Sequence, residues 1–160
     1  MNHLSQITLA ILAFLSIMIT ACSQRDNITA VAADDPEMMA AISNARVMLP
    51  QFWQVFNTRG HGESGFALKV KITDGKGTEH FWATDIERRD GKVTGTINND
   101  AEIVSSVKLG DSIEIQEAEI TDWLYMNGSG KMVGNYTVKP LFKKMPPADV
   151  ERLKKIMADP

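Results

Sequence analysis

Residues 122–137 read DWLYMNGSGKMVGNYT and place three aromatic residues around a centre of asparagine and glycine, with only Asp122 and Lys131 charged. A short segment rich in Asn and Gly between two apolar runs predicts a tight β-hairpin. The same stretch could instead form a binding site, because an acidic side chain beside tryptophan and tyrosine suits a polar ligand.

The hairpin interpretation predicts a specific pairing of its two strands. If the loop is centred on residues 128–129, Trp123 lies opposite Gly134 and Asp122 lies opposite Asn135. A glycine opposite a large aromatic ring restores packing where a side chain is missing, and Asp122 can accept a hydrogen bond from the Asn135 amide. These structural roles favour the hairpin.

The binding-site interpretation takes its candidates from this stretch and from the tryptophan of an earlier predicted strand. The candidate ligand or partner surface consists of Trp82, Asp122, Trp123, Tyr125, Asn135 and Tyr136. Large aromatic residues at strand spacing are more often core residues.

Apolar residues alternate with polar ones over residues 66–73, 80–88 and 92–98, and a shorter strand is predicted around Ile113 and Ile115. With the hairpin, about six strands are expected. The Asp90-Gly91 turn predicts that Ile86 pairs with Gly95 and Thr84 with Ile97, which puts Trp82 on the face of Ile97.

The turn after Asp74 leaves two registers open. A three-residue loop puts Leu68 and Val70 on the face of Trp82, whereas a four-residue loop pairs them with Phe81 and Ala83. We favour the three-residue loop.

Helices are predicted at both ends of these strands. Asp35, Pro36 and Glu37 predict the start of a helix over residues 36–48, and Pro50 is expected to break it before a second short turn. Residues 143–160 predict a short amphipathic C-terminal helix that starts at Pro146-Pro147. The expected fold is therefore α+β: N-terminal helices and a short C-terminal helix packed on an antiparallel sheet that could close like a barrel.

The N-terminus predicts export. Residues 1–21 contain no Lys, Arg, Asp or Glu, and their apolar run of about 15 residues is shorter than the roughly 20 needed to span a bilayer. The run ends in Ile19-Thr20-Ala21-Cys22, which resembles the bacterial lipobox and predicts that Cys22 carries fatty acyl chains such as palmitate. Ser23 after it favours the periplasmic face of the outer membrane.

The domain organisation follows: a lipoprotein signal peptide at 1–21, a flexible tether at 22–35 and a single domain at 36–160. Cys22 is the sole cysteine, so no internal disulfide is expected in the mature chain. A net charge of −3 and a pI near 5.6 argue against nucleic acid as a partner. The membrane, through the lipid anchor, and an envelope protein or cell-wall component are the expected partners.

Five short motifs of two or four residues occur in a characteristic order: Phe81-Trp82, Asn98-Asn99, Gly110-Asp111, Asp122-Trp123-Leu124-Tyr125 and Gly134-Asn135-Tyr136-Thr137. Together they resemble the bacterial YegJ-like family, domain of unknown function 2314, over roughly residues 45–142. The resemblance implies a compact α+β domain and no established activity, so it identifies no catalytic residue.

The residues themselves offer little for catalysis. His61, Glu63 and His80 do not form a metal-binding pattern, and the serines lack the surroundings of a nucleophile. We therefore predict no metal, no cofactor and no catalytic residue. The leading hypothesis is a membrane-anchored, non-enzymatic binding module, and the alternatives are an inhibitor or immunity-type protein against a cell-wall or toxin enzyme, and an envelope hydrolase.

Overall fold

The computed structural model describes residues 35–158. The predicted signal peptide, Cys22 and all of the predicted tether except its last residue lie outside the described residues. Within residues 35–158, no helix combines the length and the apolar content that crossing a bilayer requires.

The described chain is an α+β fold, as predicted. Its elements are helix α1 (Pro36–Thr58), strands β1 (Ser64–Asp74), β2 (Gly77–Arg89), β3 (Lys92–Ile97), β4 (Ser112–Glu114), β5 (Ile120–Met126) and β6 (Met132–Gly134), and helix α2 (Pro147–Ile156), with 3-10 turns at Glu117–Glu119 and Tyr136–Lys144. The six strands form one antiparallel sheet in the order β4-β3-β2-β1-β5-β6. Because β4 and β6 are its two edges, the sheet is not closed, and the barrel-like alternative is wrong.

Helix α1 begins as predicted but does not end at Pro50. Asp35 caps it by accepting a hydrogen bond from the Met38 amide at 2.9 Å, and Pro36 occupies the first turn. The predicted break is wrong, because the helix runs through the exposed Pro50 to Thr58. An interior proline costs about 3 kcal/mol or more, and burial of large apolar side chains on both sides of it offsets that cost.

The core lies between α1 and one face of the sheet, which we call the core face. Phe52 of α1 lies 5.6 Å from the ring of Trp123 on β5 and 5.8 Å from Phe66 on β1, centroid to centroid. The Trp123 indole donates a hydrogen bond of 2.8 Å to the Ala45 carbonyl, which ties β5 to the helix. The opposite side of the sheet, which α1 does not cover, is called the open face.

The preferred register between β1 and β2 is wrong, and the alternative is observed. Leu68 pairs with Ala83 and Val70 with Phe81. The turn contains two residues, Gly75 and Lys76. A two-residue loop places the same side chains on each face of the sheet as a four-residue loop does. Phe81 and Ala83 are therefore fully buried on the core face, and Trp82 lies on the open face.

The pairing of β2 with β3 departs from the prediction by one residue. The Asp90-Gly91 turn forms as expected, but a β-bulge at Asp85 shifts the register, so that Thr84 pairs with Thr96 rather than Ile97. The predicted pairs Ile86–Gly95 and Thr84–Ile97 are therefore wrong. The extra residue of the bulge brings Ile86 onto the core face together with Ala83.

The β5–β6 hairpin forms, also one residue out of the predicted register. Leu124 pairs with Gly134, and the predicted pairs Trp123–Gly134 and Asp122–Asn135 are wrong. Five residues, 127–131, connect the strands, and the Asn127 side chain holds this loop by accepting hydrogen bonds from the amides of Ser129 and Lys131. The Asn135 amide donates to the Trp123 carbonyl instead of to Asp122.

Two carboxylates from β1 and β2 fix the long connection between β3 and β4. Glu79, which is buried, accepts hydrogen bonds from three consecutive amides of residues 102–104, and Asp74 accepts from the next two, those of Ser105 and Ser106. These bonds, with one from the Lys76 amide, lower the pKa of Asp74 to about 2. No local sequence pattern predicts this arrangement.

Asp74 should make stability depend on pH in the acid range. Because its pKa is about 2 in the folded chain and near 3.8 when unfolded, its contribution is present above about pH 4 and is lost as the pH falls towards 2. Urea unfolding at several pH values should show Asp74→Asn less stable than wild type at pH 7, with the difference shrinking towards pH 2. Asp100→Asn, whose carboxylate accepts no hydrogen bond from the described residues, is the control, and a pH-independent difference for Asp74→Asn would contradict the account.

Candidate functional site

Four side chains form a cluster on the open face, which we call the open-face cluster: Lys69, Lys71, His80 and Trp82. The observed β1–β2 register pairs Lys69 with Trp82 and Lys71 with His80, so all four project from the same side of the sheet. The ammonium of Lys69 lies 5.3 Å from the Trp82 ring centroid, within the range of a cation–π contact. The cluster thus combines positive charge with an aromatic ring.

Asp122 on β5 pairs with Lys69 of this cluster, on the same face of the sheet, and is fully buried. Its carboxylate accepts four hydrogen bonds, from the amides of Trp123, Tyr136 and Thr137 and from the Thr137 hydroxyl, at 2.7 to 3.1 Å. Burial raises the pKa of Asp122, and the hydrogen bonds act in the opposite direction. Asp122 therefore organises the segment that follows β6 rather than facing solvent.

A hydroxyl group connects Lys69 to this buried acid. The Lys69 ammonium donates to the Thr137 hydroxyl at 3.1 Å, and that hydroxyl donates to Asp122 at 2.7 Å. Burial lowers the pKa of Lys69, and the charge of Asp122 opposes that change. Because Lys69 makes no direct ion pair with any residue in 35–158, part of its hydrogen-bonding capacity stays available to a ligand.

His80 is held at one ring nitrogen. The Thr121 hydroxyl donates to the Lys69 carbonyl at 3.3 Å, so the His80 Nδ1 at 2.9 Å from that hydroxyl acts as the donor and Nε2 is left for another partner. Burial of the ring lowers the pKa of His80, and the positive charges of Lys69, Lys71 and Arg46 lower it further. The surroundings of this ring are therefore electropositive.

The predicted ligand surface is divided by the sheet. Trp82 and Asp122 belong to the open side, and Lys69 lies between them. Trp123 and Tyr125 are buried on the core side, where their rings stack at 6.1 Å. These two side chains are therefore part of the core and are not available to a ligand on the open face.

The remaining two candidates lie just after β6. Tyr136 is half-buried and packs edge-on against the Trp123 ring at 5.5 Å. Asn135 adopts a left-handed conformation with φ of 55°, and its amide donates to the sulfur of Met132. Both residues belong to the turn that places Thr137 within hydrogen-bonding distance of Asp122.

Sequence reasoning missed Lys69, Lys71, Thr121 and Thr137 as members of the site and weighed His80 only as a metal ligand. The alternation in β1 already placed the two lysines on its polar face. Choosing the other β1–β2 register would have set them beside Trp82 and His80. Among residues 35–158, no group of three or more His, Cys, Asp and Glu side chains is arranged to hold a metal ion.

The comparisons with known proteins agree with the predicted resemblance. A family model described as "Uncharacterized protein conserved in bacteria (DUF2314)" matches residues 35–157. The "Uncharacterized protein YegJ" of Escherichia coli (strain K12) is 36% identical over 129 residues, which cover 81% of this chain and 82% of that protein. No solved structure shows significant similarity. The chain therefore belongs to the bacterial DUF2314 family.

Proposed function

We propose that this protein is a lipid-anchored, non-enzymatic binding module of the bacterial envelope, and that its open face binds an acidic glycan. The observation that carries the proposal is the open-face cluster, in which Lys69 lies over the Trp82 ring and Lys71 and His80 project from the same face. The lipid anchor rests on the lipobox at Cys22, and Ser23 after it favours the periplasmic face of the outer membrane.

Charge complementarity supports an anionic ligand. The negative groups near the cluster are Asp122, which is buried and saturated with hydrogen bonds, and Glu119, which lies 3.5 Å from Lys71 with both side chains partly exposed. An exposed ion pair of this kind contributes only about 0 to 1 kcal/mol. A ligand carboxylate or phosphate can therefore displace Glu119 at little cost. Lys69 offers further donors, and Nε2 of His80 becomes a donor when a bound anion favours the protonated ring.

The surroundings of the charges support a sugar rather than a lipid headgroup. Trp82 provides an aromatic surface of the kind that packs against sugar rings, and the cross-strand pair Thr84–Thr96 adds hydroxyl groups. These side chains are partly exposed on the open face. We therefore commit to an envelope glycan that carries carboxylate or phosphate groups.

The same geometry supports binding without catalysis. Of the two acids near the cluster, Asp122 is fully buried and its oxygens already accept four hydrogen bonds, and Glu119 pairs with Lys71. A general acid or base must reach a reacting group within hydrogen-bonding distance. Asp122 cannot do so while these bonds hold, which weighs against the hydrolase alternative.

The proposal is tested with membranes from bacteria that produce the full chain. Wild-type membranes should retain the protein and an added oligogalacturonate, but not the methyl-esterified form of that oligosaccharide, which lacks the charge. Cys22→Ser should move the protein to the soluble fraction, whereas Lys71→Glu should leave it on the membrane and lower glycan retention by about tenfold or more, as expected for a lost charge-assisted contact. Lys76→Glu, in the β1–β2 turn, is the matched control.

Three outcomes would overturn parts of the proposal. Membrane retention of Cys22→Ser would remove the lipid anchor. Equal retention of charged and esterified glycans, or equal loss with Lys76→Glu, would remove the acidic-glycan site. Stoichiometric recovery of an envelope enzyme with no glycan would instead favour the inhibitor hypothesis.

A further inference from the structure

A cavity of about 290 Å³ lies where the end of α1 meets the bulges of β1 and β2. It is lined by two aromatic residues, one basic and one acidic residue, and small neighbours: Phe56, Phe66, Arg59, Asp85, Gly65 and Thr84. Its volume lies near the lower end of the roughly 300 to 1,000 Å³ that ligand pockets enclose. The cavity therefore suits a small molecule.

Asp85 is strained at the rim of this cavity. Its φ is 50°, a left-handed conformation inside a strand, at the bulge that shifts the β2–β3 register. Such conformations cost roughly 1 to 2 kcal/mol for a residue with a Cβ, and glycine would remove most of that cost. The exposed carboxylate makes no hydrogen bond or ion pair with the other residues in 35–158. Contacts within the described chain therefore do not explain why an acid occupies this position.

Arg59 supplies the opposite charge. Its guanidinium carbon lies 4.1 Å from the centroid of the Phe56 ring, and one of its nitrogens donates to the Phe56 carbonyl. The group is thereby held in place with several donors left over. Although both residues line one cavity, Arg59 and Asp85 form no ion pair with each other.

Two opposite charges that form no ion pair within residues 35–158, one of them held in place over an aromatic ring, match a ligand that carries both charges itself. We infer that this cavity binds a small zwitterion, namely a free α-amino acid with an apolar side chain. Its carboxylate pairs with Arg59, its ammonium group pairs with Asp85, and its side chain packs on Phe56 and Phe66. This site is separate from the open-face cluster and does not depend on the function proposed for it.

The inference is tested on the full-length chain in detergent by calorimetric titration with phenylalanine, N-acetylphenylalanine and phenylalaninamide. Phenylalanine should bind, and each blocked form, which keeps only one of the two charges, should bind about tenfold or more weakly. Arg59→Gln and Asp85→Asn should weaken phenylalanine binding by a similar factor. Asp90→Asn alters another aspartate with a left-handed backbone, in the turn after β2, and should leave phenylalanine binding unchanged.

A second variant separates a ligand role from a purely structural one. Asp85→Gly relieves the strained conformation, so it should raise the melting temperature while abolishing phenylalanine binding. Unchanged binding by Asp85→Gly, equal binding of the three probes, or no binding of phenylalanine to the wild type would each overturn the inference.

Discussion

Replacing Gly134 by alanine should destabilise the fold by about 3 kcal/mol or more, and valine should do so more strongly. A Cβ at this position would lie 2.6 and 2.8 Å from two ring carbons of Trp123 and closer still to the Trp123 carbonyl oxygen. The φ of Gly134 is 88°, which side chains rarely tolerate. Because Trp123 is fully buried under α1, its ring has no room to move away.

Gly130 provides the matched control for this experiment. It also has a positive φ, of 75°, but a Cβ there would meet no atom within 4 Å. Gly130→Ala should therefore show only the backbone strain, about 1 to 2 kcal/mol. Denaturant unfolding of both variants measures the difference, and equal losses would show that the contact between Gly134 and Trp123 does not constrain the hairpin.

Replacing Asp122 by alanine should cost about 3 to 5 kcal/mol, the range expected when one partner of a buried charged network is removed. Three amides and the Thr137 hydroxyl would lose their common acceptor, and Lys69 would lose the nearby negative charge of Asp122. Asp122→Asn should also destabilise, by about 1 to 3 kcal/mol, because its amide nitrogen cannot accept a hydrogen bond from Thr137. Thermal and urea unfolding report both losses.

Asp111→Asn is the control for Asp122. The Asp111 carboxylate accepts one hydrogen bond, from the Lys108 amide in an exposed turn, so its replacement should cost less than about 1 kcal/mol. If Asp122→Asn were as mild as Asp111→Asn, the buried carboxylate would not be the group that holds the segment after β6.

The sequence carried enough information to predict the α+β class, the Asp90-Gly91 turn and the hairpin at 122–137, because alternation and turn residues are local signals. It could not specify registers that depend on one extra residue. The bulge at Asp85 and the Asn127-capped loop each shift a pairing by one position, and neither has a periodic signature. Pro50 shows the same limit, since tertiary burial overrides a strong local preference.

The candidate site depended on these registers. Trp82 and Asp122 belong to the predicted ligand surface, but the residues that connect them, Lys69 and Thr137, lie 68 positions apart in the sequence. Their meeting requires both the β1–β2 register and the turn after β6. Trp123 and Tyr125 were included because aromatic residues look alike in a sequence whether they line a cleft or fill a core.

The most direct test of the central claim, that the open face binds an acidic glycan, is to map binding on the isotope-labelled full-length chain in detergent by nuclear magnetic resonance. On addition of oligogalacturonate, the largest shifts should occur at Lys69, Lys71, His80 and Trp82, and the pKa of His80 should rise because a bound anion stabilises its protonated form. Methyl-esterified oligosaccharide should produce neither effect. Shifts concentrated around Arg59 and Asp85, or an unchanged His80 pKa at saturation, would contradict the account.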